Sequence, residues 1–196
     1  SISNNKKMSG NGKYKLIQKG KYKGLPFYRI TLEERKTCPR DCKQWNNCYG
    51  NNMPFAYRIN HQHPRFLSKL EAEISILNEI SPLGFVIRLH ELGDFYSVEY
   101  TESWIKWMKI YSGLNLIGFT AHNRYSEIGE IVQKMNRDTY RCYIRFSGLE
   151  GDMGAVVSND RNLDGFRCPA QLSKEMNCSN CCLCWNSRRL VVFEKH

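Results

Sequence analysis

From residue 25 to residue 146 the chain alternates short β-branched or aromatic runs with stretches whose apolar residues recur every three or four positions. No other feature constrains the fold as much. The runs 25–32 (LPFYRITL), 85–90 (FVIRLH), 116–120 (LIGFT) and 140–146 (YRCYIRF), with 155–157 as a fifth, read as strands. Between them, Phe66, Leu70, Ile74, Leu77 and Ile80 share one face of a helix predicted over 65–80. Ser97 caps a second helix, with Trp104, Met108 and Tyr111 on its buried stripe and Ile105 beside it. Ser126 caps a third, with Ile128, Ile131, Val132 and Met135. A short helix is expected over 54–60, closed by Pro64.

Strand and helix alternating in this way define an α/β fold with a parallel sheet. Four or five strands are too few to close an eight-stranded barrel, so the expectation is a partial (β/α) barrel or open parallel sheet. In parallel sheets functional residues gather at the carboxyl ends of the strands. Here those ends carry residues 38–48, 90–94, 120–124 and 145–148, four polar segments on one rim. From residue 159 the pattern is irregular and polar until 190–193, which suggests a cysteine-rich C-terminal segment held by ligands more than by a core. Three parts follow: a basic arm over 1–24, an α/β core over 25–158, and a metal-binding segment over 159–196.

The nine cysteines fall into two groups and one singleton. An odd count with no signal peptide argues against a secreted disulfide framework, and short spacing is the pattern of metal sites. Cys38, Cys42 and Cys48 stand at C-x3-C-x5-C in the loop directly after the first strand. Three thiolates on a [4Fe–4S] cluster leave one iron open to a ligand. A structural zinc is the alternative, with His61 or His63 as the fourth ligand. In the second group, Cys178, Cys181 and Cys184 repeat every third residue and Cys168 supplies an upstream fourth ligand. The set matches the C-x2-C-x2-C part of a ferredoxin-type run and suits a fully ligated cluster, with a four-thiolate zinc nearly as good in spacing. Cys182 falls outside the repeat, and one cluster drawing on both groups is a third arrangement. Cys142 lies within a strand and reads as a plain buried thiol.

His90, Glu91, Asp94 and His122 are the candidates for proton transfer, each with an alternative use as a strand-end cap or turn former. Gly93, Asp94, Thr120 and Asn123 are candidates for holding a small ligand, since Gly93 permits close backbone approach. Arg145 at a strand end suits a carboxylate, or a structural ion pair.

The net charge of +10 is concentrated at the start. No acid precedes Glu33, while Lys6, Lys7, Lys13, Lys15, Lys19, Lys21, Lys23 and Arg29 are basic. Such an arm suits the phosphates of nucleic acid or serves only solubility, and Tyr22, Tyr28 and Trp45 beside it suit stacking on bases. No apolar run reaches the ~20 residues of a membrane span, so a soluble, cytoplasmic protein without membrane attachment is expected.

Taken together, TCP-x2-C-x5-CYG (37–50), H-x2-GDFYS (90–97), FTAHNR (119–124), RFSG (145–148) and CPAQ…C-x2-C-x2-CW (168–185) resemble the phage and plasmid gene product 88 family. The resemblance implies a phage or mobile-element protein, hence the host cytoplasm. More distantly the chain is similar to the radical S-adenosylmethionine superfamily, although that superfamily usually spaces its cysteines C-x3-C-x2-C. This similarity implies a [4Fe–4S] cluster at Cys38, Cys42 and Cys48 that chelates S-adenosylmethionine and takes electrons from a donor. Leu92-Gly93-Asp94 would then stand at the methionine-amine motif, Arg145 at the carboxylate, and Cys168 to Cys184 around an auxiliary cluster.

Overall fold

A computed structural model describes residues 16–195. The first fifteen positions of the basic arm, including Lys6, Lys7, Lys13 and Lys15, lie outside them. Seven strands form one parallel sheet: β1 (Phe27–Thr31), β2 (Phe85–Leu92), β3 (Leu114–Thr120), β4 (Cys142–Ser147), β5 (Gly154–Val157), β6 (Gly165–Arg167) and β7 (Leu190–Phe193), in the order β1-β2-β3-β4-β5-β7-β6. The sheet is open, as one of the two expected forms had it.

Helices α1 (Phe66–Ile80), α2 (Val98–Ile110) and α3 (Glu127–Asp138) connect the first four strands in turn. Ser97 and Ser126 cap α2 and α3, accepting from the backbone N–H groups of Tyr100 and Gly129, each at 3.1 Å. All three helices pack on one face. Phe66, Leu70, Ile74, Tyr100, Trp104, Trp107, Val132 and Met135 join Ile30, Leu32, Ile87, Leu89, Leu116, Ile144 and Phe146 in one core. Because strand side chains alternate, the intervening positions Phe27, Val86, Ile117 and Tyr143 face the other side. There they meet Ile17, Tyr22, Cys182 and Trp185 from the two ends of the chain. The three long helices on one face, with β1 to β5 added in sequence order, give the winding of a (β/α) barrel left unclosed.

Four details depart from the expectations. Residues 54–60 form turns and an isolated bridge from Ile59 to Leu32, not a helix. Ile80, the last residue of α1, is exposed and not part of the buried stripe. Ile17 and Tyr22 are buried, so the inner end of the basic arm is packed and Tyr22 cannot stack on a base. The C-terminal segment is woven into the sheet: β7 sits between β5 and β6 with Leu190, Val191 and Val192 buried. Its strands were hidden by their brevity, three and four residues amid polar sequence.

Candidate metal centre

The carboxyl ends of β1, β2 and β3 are laced together through Asp94. Its carboxylate accepts from the Thr120 hydroxyl (2.8 Å), the Ala121 N–H (2.6 Å) and the Phe95 N–H (2.8 Å). Its own N–H donates to the Thr37 hydroxyl (3.1 Å), which in turn donates to the Glu33 carbonyl (2.8 Å). Gly93 makes this possible. Its φ is +81°, and a Cβ there would lie 2.6 Å from the Thr37 hydroxyl and 2.7 Å from Leu32. Burial pushes the Asp94 carboxyl up, against His122 and the three donors that favour the ionised form. Three of its roughly four lone-pair sites are therefore taken within the protein.

On this rim the cysteine loop arches from β1 to the end of β4, where Lys43 donates to the Gly148 carbonyl at 2.7 Å. Behind it, Arg58 grips Glu34 through two bonds of 2.6 Å and reaches the carbonyls of Met53 (3.1 Å) and Ala56 (2.7 Å). Gly50 of the CYG triplet has its reason here, since a Cβ would lie 2.6 Å from the Glu34 carboxylate. Cys38, Cys42 and Cys48 are partly buried and close enough that the charges of Cys48 and Asp94 act on the other two. Burial pushes Cys38 up to about 12, although the Arg35 N–H bonds its sulfur; Cys42 is pushed up by burial against the Gln44 N–H.

The second group covers the face of the sheet opposite the three helices. Cys168 precedes a single turn, α4 (Pro169–Leu172); Cys178 and Cys181 begin and end α5 (Cys178–Cys181); Cys184 lies in α6 (Leu183–Asn186). Cys168, Cys178 and Cys184 border a cavity of about 60 Å³ closed by Phe119, Phe193 and Trp185. The charge of Cys181 reaches Cys168 and Cys184, and burial pushes both of those up. Cys182 points away, its thiol 3.3 Å from the Ser179 carbonyl and buried beside Trp185. Cys142 is buried in the helix-side core, and burial pushes it up to about 12.

Arg145 fastens this group to β4. Fully buried, it donates from Nε to the Cys184 carbonyl (2.7 Å), from Nη1 to those of Arg189 (2.8 Å) and Gly154 (3.3 Å), and from Nη2 to that of Ser187. Its donors thus face main-chain carbonyls. His90 is also inside the fold, with Nε2 2.8 Å from the Tyr100 hydroxyl and Nδ1 buried without a partner. Burial and then His122 hold it down to about 3, so it is neutral. Glu91 is buried and pairs with Arg29. His122 donates from Nε2 to the Phe95 carbonyl (2.7 Å), and the Asn123 side chain accepts from the Tyr125 N–H (2.9 Å). His61 turns Nδ1 to Glu33 at 3.5 Å, and the Nδ1 of His63 accepts from the Arg65 N–H at 3.1 Å.

Among the described residues no three His, Cys, Asp or Glu side chains converge as a single ion requires. A tetrahedral zinc with bonds of ~2.3 Å needs its sulfurs about 3.8 Å apart. A cluster asks something different, one iron for each thiolate, with hydrogen bonds to sulfur that tune it. The donor sets fit that demand in chemistry: thiols only, withdrawn from water, with backbone N–H groups turned to Cys38, Cys42 and Cys168. Thr37, Arg58 and Lys43 were missed in the sequence because their partners stand up to 105 residues away.

Fold and site define an open, singly wound α/β protein with one cysteine loop on its rim and a second cysteine group beneath its sheet. The chain belongs to the phage and plasmid gene product 88 family, whose model matches residues 2–120. The match ends with β3 and so includes the rim cysteines but not the second group. No curated protein and no solved structure matches the chain. No described helix is long and apolar enough to cross a membrane.

Proposed function

We propose that this is a cytoplasmic iron–sulfur protein, with an open-iron [4Fe–4S] cluster at Cys38, Cys42 and Cys48 and a closed one at Cys168, Cys178, Cys181 and Cys184. One observation carries the reading: a loop of three mutually close thiols is held over the rim of a parallel sheet by Thr37, Lys43 and the Glu34–Arg58 pair. When bound, the rim cluster would supply an iron position for S-adenosylmethionine and the electron, from a low-potential donor, for its reductive cleavage. The chain's own residues would fix the loop, screen it from water and hold Asp94 beside it on the Thr120, Ala121 and Phe95 donors. Zinc remains the alternative at the closed group.

A second reading, a non-catalytic iron–sulfur or zinc protein that binds nucleic acid, is favoured by the engagement of Asp94 and Arg145 within the protein. These two residues would otherwise meet the amine and carboxylate of methionine. Anaerobic purification with iron and sulfide analysis separates the metals: about eight irons per chain are expected, four for each cluster. Zinc without iron sinks the first reading. A change in the reduced protein's EPR spectrum on adding S-adenosylmethionine is expected for an enzyme, and an unchanged spectrum leaves the second reading.

A further inference from the structure

The turn that follows the cysteine loop bears two aromatic side chains that the fold leaves in water. Phe55 is 99% exposed and Tyr57 83%. Two such side chains in one short turn have no use in the core, and each offers a flat face. Beside them lies a pocket of about 410 Å³ lined by Arg29, Tyr49, Asn52, Met53, Pro54 and Phe55. That volume falls within the range of small-molecule sites. Its charged wall is Arg29, which pairs with Glu91 but keeps Nε without a partner, next to the like charge of Arg88.

The surrounding loop is basic. Arg35 donates to Asn51 and to the Trp45 carbonyl, Arg40 lies over the Trp45 ring at 5.4 Å, and Lys43 reaches the Gly148 carbonyl. The hydrogen-bond and ring partners of all three are neutral, although the charge of Arg35 also acts on Glu34, which Arg58 already pairs, so positive charge stays in excess for an anion. Positive charge beside exposed aromatics is the arrangement that binds single strands, with bases stacked and phosphates neutralised.

We propose that the rim around Phe55, Tyr57 and the Arg29 pocket binds single-stranded nucleic acid, taking one unpaired base into the pocket that Tyr49 and Phe55 line. This deepens the reading above by naming the substrate of the same rim; it rests on that reading for the chemistry and not for the binding. It also moves the nucleic-acid contact from the arm, and from Tyr22, Tyr28 and Trp45, to residues the sequence did not single out. Tyr28 packs on Phe85 at 6.3 Å, and Trp45 is covered by Arg40.

The test is fluorescence anisotropy of a labelled twelve-nucleotide thymidine strand with the full chain as purified. The F55A/Y57A variant removes only exposed side chains, so its melting temperature should match the parent. Its affinity should fall roughly 5- to 150-fold per stacked base, the range alanine substitution gives at such platforms. The R29Q variant should weaken binding less, and a duplex of the same length should compete poorly. Unchanged affinity in F55A/Y57A, or a duplex that competes equally, overturns the proposal. So does a loss confined to the K6A/K7A/K13A/K15A variant. Iron content read on the same samples keeps the two ideas apart: F55A/Y57A should retain its iron, and C38A/C42A should lose rim iron yet still bind the strand.

Discussion

The two cysteine groups are built from similar residues and held by opposite means. The rim loop hangs from side chains: Thr37 on Asp94, Lys43 on Gly148, Glu34 on Arg58. At its end Tyr49 lines a pocket of about 410 Å³. The second group lies on the sheet, with aromatic rings around a cavity too small for a substrate, and with Arg145 drawing its carbonyls inward. The first would leave room for a ligand and the second would not. Under the proposed reading, three cysteines would suit an open site at the rim and four a closed one in the tail. On the proposed reading the rim is the reactive half and the tail the structural one, and each half can be broken separately.

Arg145→Met should have the largest effect. It leaves four buried or part-buried carbonyls without their charged donor, at about 1–3 kcal/mol for each one left unsatisfied, so several kcal/mol in all. Denaturant midpoints should drop accordingly. Iron analysis of the folded fraction should find the tail depleted and the rim still loaded. Equal loss from both groups would show that the two are not independent.

Asp94→Ala is the converse. Three donors lose one shared acceptor, and a destabilisation of about 2–3 kcal/mol follows from leaving them unsatisfied. The rim should lose iron first, while the tail keeps its own. Should the rim stay loaded, the lacing of β1, β2 and β3 is not what positions the loop.

Acid should act on the rim side of the comparison too. His90 is neutral in the fold, held down to about 3, while in the unfolded chain it protonates near 6.5. Its contribution is therefore whole above pH 6.5 and is lost as pH falls toward 3, by at most about 1.4 kcal/mol per unit. Glu34, held down by Arg58, adds a loss in the same direction at lower pH. Urea midpoints measured from pH 7 to 5 should fall for the parent and stay nearly level for His90→Gln. Parallel slopes would place the titrating group elsewhere.

How much of this was legible depends on the range of the contacts involved. The four core strands, both serine caps and the rim itself follow from local periodicity and turn chemistry. The functions of Asp94 and Arg145 do not. Sequence marks a polar residue at a strand end, but whether it faces a ligand or a carbonyl depends on residues 27 to 44 positions away. Phe55 and Tyr57 escaped for the opposite reason: they lie in an aperiodic turn, and exposure leaves no signature in a pattern that tracks burial. The tail strands were obscured because a three- or four-residue strand shows no period of its own.

The smallest effects sharpen the assignment of ligands within the tail. Cys182 interrupts the spacing of its neighbours, and its thiol faces the Cys178 and Ser179 carbonyls beside Trp185, away from the cavity. Cys142 stands on β4 in the other core, among Leu116, Ile144 and Met135. Neither should hold iron. Replacing either with Ala removes one small buried group, a cost on the order of 1 kcal/mol. Iron per chain should be unchanged in both variants, whereas Cys178→Ala or Cys184→Ala should lose the tail's share alone. If Cys182→Ala loses iron and Cys181→Ala does not, the cluster uses the adjacent thiol. The left-handed turn at Cys182, with φ of 62°, would then have to relax to bring its sulfur across.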